Sequence, residues 1–236
     1  MYTNQKKSSL VISNVSLSTM PDLSFNKYLT YLKICKTNLT EIDGNKLPET
    51  LSTLICEDNK ISNVYNLPKN LKYLNLSFNK IENIDKLPSE LEVFIILNNK
   101  LKKLPNLSDT MTYLAFGYNY ITKIDTLPQK LQELHCYYNL LNELPNIPQN
   151  LKSLQCYGNK LKWLPYIPES VSRLNCHLNE FPELIRFQRD DLSRKIFLNK
   201  IYNFRNLFYL LKLKNKFIKW LKKIRKNKNK NNCQII

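Results

Sequence analysis

Residues 71–90 read LKYLNLSFNKIENIDKLPSE, and the same frame returns at 131–150 as LQELHCYYNLLNELPNIPQN and at 151–170 as LKSLQCYGNKLKWLPYIPES. In the first of these, Leu71, Leu74, Leu76, Ile81, Ile84 and Leu87 hold fixed places around Asn79 and are followed by Pro88. Asparagines stand at 59, 79, 99, 119, 139, 159 and 179, each 20 residues from the next. A recurrence of this length is the mark of a solenoid, in which each turn buries its apolar face only against its neighbours. Leu71, Leu74 and Leu76 put a short strand in every turn. Stacked on its copies, that strand forms a parallel sheet whose inward side chains make one continuous core. Each repeat asparagine can satisfy the backbone groups left unpaired where the strand bends away. Prolines at 68, 88, 105, 128, 145, 148, 165 and 168 favour an extended, polyproline-like return path, and twenty residues leave no room there for a full helix.

Upstream the pattern loosens. The turn from Leu29, Leu32 and Ile34 through Leu39 and Ile42 to Leu47 and Pro48 is 22 residues long and carries Thr37 where asparagine belongs. Before it, Leu10, Ile12, Leu17, Met20, Pro21 and Leu23 read as a frayed repeat, as expected of a solenoid end whose outer face meets water. The expected organisation is an N-terminal cap and degenerate repeat at 1–28, repeats at 29–185, a capping helix at 186–211 and a basic amphipathic tail at 212–236.

Written as a formula, the repeat is L-x-x-L-x-(L/C)-x-x-N-x-L-x-x-L-(P)-x-L-P-x-x, which resembles the leucine-rich-repeat family. The LPxLP linker is similar to the short LPX-type repeats of effectors from enteric bacterial pathogens and to repeat proteins of giant amoebal viruses. The resemblance covers roughly residues 7–185 and implies an α/β solenoid, a curved horseshoe with a parallel β-sheet on its concave face. Some LPX-type effectors add a C-terminal ubiquitin-ligase domain with a catalytic cysteine. Only about fifty residues follow the repeats here, so that enzymatic part is not expected.

Period-two alternation sends the outward strand positions to the concave face, the usual contact surface of such a solenoid. Down the stack these are Tyr31 and Lys33; Thr53, Ile55 and Glu57; Tyr73, Asn75 and Ser77; Val93, Ile95 and Leu97; Tyr113, Ala115 and Gly117; Glu133, His135 and Tyr137; Ser153, Gln155 and Tyr157; Arg173, Asn175 and His177. Val93, Ile95 and Leu97 together, flanked by Tyr73 and Tyr113, predict an exposed apolar patch of the kind that marks an interaction site. Phe78, Tyr118 and Tyr138, each just before a repeat asparagine, form a second aromatic column beside it. The blander alternative is that these positions hold tyrosine and isoleucine for strand propensity alone.

Cys56, Cys136, Cys156 and Cys176 fall in the inward slot that Leu76, Ile96 and Phe116 fill elsewhere, so they read as small buried hydrophobes. His135 and His177 are turned by alternation to the opposite face, and with no C-x-x-C pair a metal site is not expected. No Ser/His/Asp set or glycine-rich phosphate cradle appears, and neither cofactor nor enzymatic activity is expected. Nothing at the start of the sequence has the layout of a secretory signal, and no apolar run reaches membrane-spanning length. A cytoplasmic monomer with reduced thiols is the expectation.

The net charge of +17 is unevenly placed: 16 of the 36 basic residues, against 2 of the 19 acidic ones, fall in 186–236. From Asp190 onward apolar residues recur at helical spacing through Leu192, Ile196, Ile201, Phe204, Phe208 and Leu211, a face suited to packing on the last repeat. Beyond it, Lys219, Lys222, Lys223, Arg225 and Lys226 surround Trp220 and Leu221, which suits an anionic membrane surface at about 1 kcal/mol per basic residue near it. Cys233-Gln234-Ile235-Ile236 resembles a C-a-a-X prenylation box after a polybasic run. The function expected from these features is a non-enzymatic scaffold that binds a protein through its concave face and is held at a membrane by its tail. The alternatives are a nucleic-acid-associated or nuclear protein using the same basic segment, and the substrate-recognition subunit of a ubiquitin-ligase assembly.

Overall fold

A computed structural model of the chain describes residues 8–181 and, beyond them, Lys195, Ile196, Asn199, Tyr202, Asn203, Asn206, Lys214 and Ile218, all eight with helical backbone. The remainder of the capping segment expected at 186–211, and Lys219, Trp220, Lys222, Lys223, Arg225, Lys226 and Cys233 of the tail, lie outside the described residues.

Strands β1 (Ser9–Ser13), β2 (Tyr31–Cys35), β4 (Thr53–Ile55), β6 (Tyr73–Asn75), β7 (Val93–Ile95), β8 (Tyr113–Ala115), β9 (Glu133–His135), β10 (Ser153–Gln155) and β11 (Arg173–Asn175) form one parallel sheet in chain order. Every pairing is in register, so Leu54, Leu74, Phe94, Leu114, Leu134, Leu154 and Leu174 make a single column. That column is buried, as are Cys56, Leu76, Ile96, Phe116, Cys136, Cys156 and Cys176 two residues further on. Each fully buried aliphatic or aromatic side chain contributes about 1.5–3 kcal/mol of transfer free energy, and the columns run unbroken into one core.

The asparagines perform the task expected of them. Asn79 Oδ1 accepts the Ile61 N–H at 2.9 Å while its Nδ2 donates to the Cys56 carbonyl at 2.7 Å. The same pair of bonds recurs at Asn99 with Ile81 and Leu76, at Asn119 with Leu101 and Ile96, and at Asn139 with Ile121 and Phe116. Asn159 and Asn179 continue it with Leu141 and Cys136, and with Leu161 and Cys156. Each side chain thus stitches its own turn to the preceding one. Among the described residues, no buried side-chain nitrogen or oxygen lacks a partner.

The degenerate 22-residue turn solves the same problem differently. The Thr37 hydroxyl accepts the Leu39 N–H at 3.3 Å, and Asn59 Oδ1 takes the Thr37 N–H at 3.1 Å. Its return path is also more ordered than a purely extended one: β3 (Glu41–Asp43) pairs in parallel with β5 (Asn63–Tyr65), and a 3-10 turn covers Gly44–Lys46. Later turns return as extended chain without such a second sheet among the described residues. At the far end, Asn199 pairs with both backbone groups of Ile167, each at 2.9 Å, and the Lys195 ammonium donates to the Val171 carbonyl at 2.8 Å. No helix among the described residues is long and apolar enough to cross a membrane.

Candidate functional site

In-register stacking brings side chains at one repeat position to within a strand spacing of each other, about 4.8 Å, which is also the distance at which aromatic rings stack. From the fourth asparagine turn onward the sequence exploits this coincidence. The Tyr137 and Tyr157 rings stack at 4.9 Å and 10°, and Tyr157 stacks on His177 at 4.8 Å and 10°. One residue along, Tyr118 stacks on Tyr138 at 4.6 Å and 19°. The two columns meet edge to face, Tyr118 against Tyr137 at 83° and Tyr138 against Tyr157 at 81°.

Two glycines make room for this cluster. A Cβ on Gly117 would stand 2.4 Å from the Tyr137 ring, and one on Gly158 would stand 2.6 Å from the Tyr138 ring. The chain has only 3 glycines, so two of them serve the aromatic columns.

Adjacent residues such as Tyr137 and Tyr138 should point to opposite faces of a strand, yet their rings lie 6.4 Å apart at 90°. The cause is backbone: Asp58, Phe78, Asn98, Tyr118, Tyr138 and Leu178, each just before a repeat asparagine, have φ between 48° and 58°. The left-handed residue ends the alternation and delivers the second column to the same surface as the first. Phe78, Tyr118 and Tyr138 are accordingly exposed. Sequence reading singled out this column but not the turn, whose signal is the Asp58, Asn98 and Gly158 that share the position and favour positive φ.

Of the residues expected on the concave face, Tyr113, His135, Tyr137 and Tyr157 come together. The Tyr113 hydroxyl hydrogen-bonds His135 Nδ1 at 3.3 Å, and their rings are 5.2 Å apart. Glu133 sits beside them, 3.4 Å from both His135 Nε2 and the Arg173 guanidinium. Burial holds the His135 imidazole below its usual value, against the opposing pull of Glu133. Burial likewise pushes the Tyr73, Tyr113 and Tyr137 phenols up, so these hydroxyls remain donors at neutral pH.

Val93, Ile95 and Leu97 are half-buried, where the sequence predicted an exposed patch. Register explains the difference: Val93 is held between Tyr73 and Tyr113, and Ile95 between Asn75 and Ala115, so neighbouring rungs cover their flanks. Ser77, Ala115, Gly117 and Ser153, assigned from alternation to the solvent side, are buried. These residues are too small to rise above their larger neighbours.

The inward thiols of Cys56, Cys136 and Cys156 are buried, and desolvation pushes their pKa values up, that of Cys136 to about 12. Among the described residues, no three His, Cys, Asp or Glu side chains converge to hold a metal ion.

In-register parallel rungs of 20 residues, each locked by an inward asparagine, are the architecture of a leucine-rich-repeat solenoid. No protein-family model and no curated protein sequence matches it. Among solved structures it is similar to YopM from Yersinia enterocolitica WA-314, with 32% identity and a TM-score of 0.70 over 74% of this chain and 38% of that one. YopM of Yersinia pestis, described as a leucine-rich effector protein, shares 29% identity at a TM-score of 0.67 over 73% of this chain and 49% of that one. The leucine-rich-repeat domain of a Shigella effector shares 26% identity at 0.54, over 76% and 72% of the two chains. The chain therefore spans less than half the length of either Yersinia protein.

Proposed function

We propose that this chain is a non-enzymatic scaffold that holds a protein partner against its concave face, with Tyr113, His135, Tyr137 and Tyr157 at the centre of the contact and Tyr73, Val93, Ile95 and Leu97 at its border. The observation that carries this reading is the pair of stacked tyrosine columns with glycine placed beneath them. Tyrosine supplies large, rigid contact area with a hydrogen-bonding tip at little entropic cost, and together with serine, glycine and asparagine it is the composition of surfaces that bind folded proteins. Strand propensity alone would favour the tyrosines but gives no reason for Gly117, which has no positive φ and whose Cβ would meet the Tyr137 ring. The Yersinia and Shigella neighbours are described as effectors, and this reading extends an interaction role of that kind to the present chain.

The test is a quantitative capture from cell extract on immobilised wild type, Tyr137→Ser and Ile95→Asp. A true partner should fall about tenfold or more with Tyr137→Ser, the loss typical of a central aromatic anchor, and less with Ile95→Asp. Recovery of every captured protein undiminished by both changes would overturn the reading.

The reading includes a tether: Lys219, Trp220, Lys222, Lys223, Arg225 and Lys226 rest on an anionic membrane surface, with a prenylated Cys233 as the second anchor. Its support is the charge asymmetry of the sequence, together with the need of stable anchoring for two signals. Flotation of tagged protein on phosphatidylserine vesicles from cells should weaken with Cys233→Ser. Unchanged flotation would remove the lipid from the proposal, and nuclear retention of both forms would remove the membrane.

A further inference from the structure

The chain leaves the sheet past each asparagine and comes back to it past the end of the return path, so the solenoid has an exit flank and an entry flank. Repeat positions ten, twelve and thirteen make up the exit flank. Over the six turns from Lys60 to Trp163, these positions hold eight lysines and two carboxylates, Glu82 and Glu143. The entry flank of the same six turns, at positions nineteen, twenty and two, holds four lysines and four carboxylates. A genome-wide taste for lysine codons would enrich both flanks alike, and it does not account for a difference between them.

Within the exit flank, Lys60, Lys80 and Lys100 occupy one position on three consecutive rungs, and all three are exposed. In-register stacking fixes their backbones about 4.8 Å apart, so three like charges are held together by the fold. Among the described residues, the ion pairs on this flank reduce to Lys123 with Asp125, and Lys60, Lys80, Lys100, Lys102 and Lys103 have none. The carboxylates of the concave face are already taken: Glu57 by Lys33, and Glu133 by Arg173 and His135. The lysine ladder stands two residues beyond Asp58, Phe78 and Asn98, so Lys80 lies beside the exposed Phe78 and the ladder runs toward the rungs that carry Tyr118 and Tyr138.

We infer that the exit flank is a docking rail for an acidic segment of the protein partner, a stretch of aspartate or glutamate interspersed with apolar residues, laid beside the aromatic columns. This rests on the proposed protein-binding role and names the partner's chemistry. Charge complementarity sets the sign of the occupant. The ring geometry sets its class: Tyr118 and Tyr138 spend a face on each other, stacked at 4.6 Å and 19°, which leaves fewer open ring faces for a further stacking partner. The edge is the positive side of the aromatic quadrupole and suits a carboxylate, whereas a single-stranded nucleic acid needs open ring faces on which to stack its bases.

The test uses the full chain, tail included, in two triple variants of equal charge change: Lys60→Glu/Lys80→Glu/Lys100→Glu on the exit flank, and Lys69→Glu/Lys130→Glu/Lys152→Glu on the entry flank. Binding of a fluorescent peptide of alternating glutamate and leucine is followed by anisotropy at two salt concentrations, with melting curves to show that both variants fold. The exit variant should lose about tenfold or more in affinity and most of the salt dependence not due to the tail, and the entry variant less than about twofold. Equal losses in the two variants would overturn the rail, since net charge would then be sufficient. An exit-flank loss confined to a single-stranded oligonucleotide, or to phosphatidylserine vesicles, with peptide binding unchanged, would also overturn it. Should the exit variant fail to fold, Lys60→Gln/Lys80→Gln/Lys100→Gln gives the same reading at half the charge change. Failure of the concave-face reading is separate: Tyr137→Ser would then leave partner capture intact, whatever the lysines do.

Discussion

Tyr138 and Gly158 occupy the same repeat position on consecutive rungs and have the same left-handed backbone, with φ of 48° and 66°. For a residue with a Cβ that conformation costs about 1–2 kcal/mol, so every turn except the one at Gly158 carries strain at this point. The strain is tolerated because the turn lets the following asparagine aim inward. Replacing Gly158→Ala should lower stability by about 1–2 kcal/mol from the backbone alone and more from the clash with the Tyr138 ring, read from urea midpoints. The aromatic near-UV dichroism should fall with it, because the ring cannot keep its place. His135 gives a pH signature. Its pKa is held below the usual 6.5 by burial, so the unfolded chain takes up the proton first. The stability it contributes is therefore complete above about pH 6.5 and is lost as the pH falls from there through the lower folded-state value. His135→Gln should flatten the slope of melting temperature against pH over that window, and an unchanged slope would show that another group is responsible. At this scale the sequence was legible where alternation held, as for Tyr113 and His135. At Tyr118 and Tyr138 it gave the column but not the positive φ that delivers it to the same surface, which only Asp58, Asn98 and Gly158 at that position hint at.

The element on which the fold turns is the asparagine with the two backbone groups it satisfies in the preceding rung. Asn119 is buried, with its amide bonded to the Leu101 N–H and the Ile96 carbonyl at 2.9 Å each. Asn119→Ala leaves both groups dry and unpaired and should cost about 2–4 kcal/mol, measured by denaturant unfolding. Thr37 is the natural contrast. It serves one backbone N–H through its hydroxyl, and the 22-residue turn around it adds a second small sheet between Glu41–Asp43 and Asn63–Tyr65. That sheet was not legible beforehand: each of its strands has one inward residue, Ile42 or Val64, which is too little alternation to read. The long repeats were legible because the same comb returns seven times, and no local propensity had to be weighed against another.

Among the described residues, strands of the main sheet pair only with those of neighbouring turns, so stability should be distributed along the axis and weakest toward the ends. Leu114→Ala, at the centre of the buried column, is expected to cost about 2–5 kcal/mol. Backbone amides of β7 to β9 should exchange more slowly than those of β1, whose residues are mostly half-buried or exposed. The buried cysteines report on the same opening. With their thiolates disfavoured by burial, Cys136 and Cys156 should resist alkylation at neutral pH in the folded protein and react at ordinary rates in denaturant.

Because each asparagine grips only the turn behind it, the chain behaves like a ruler whose graduations are interchangeable. Inserting or excising a block of twenty residues between two equivalent points would lengthen or shorten the molecule by about 4.8 Å while leaving every junction chemically as it was. Reach can therefore be adjusted by simple duplication of DNA, independently of the surface chemistry displayed along it.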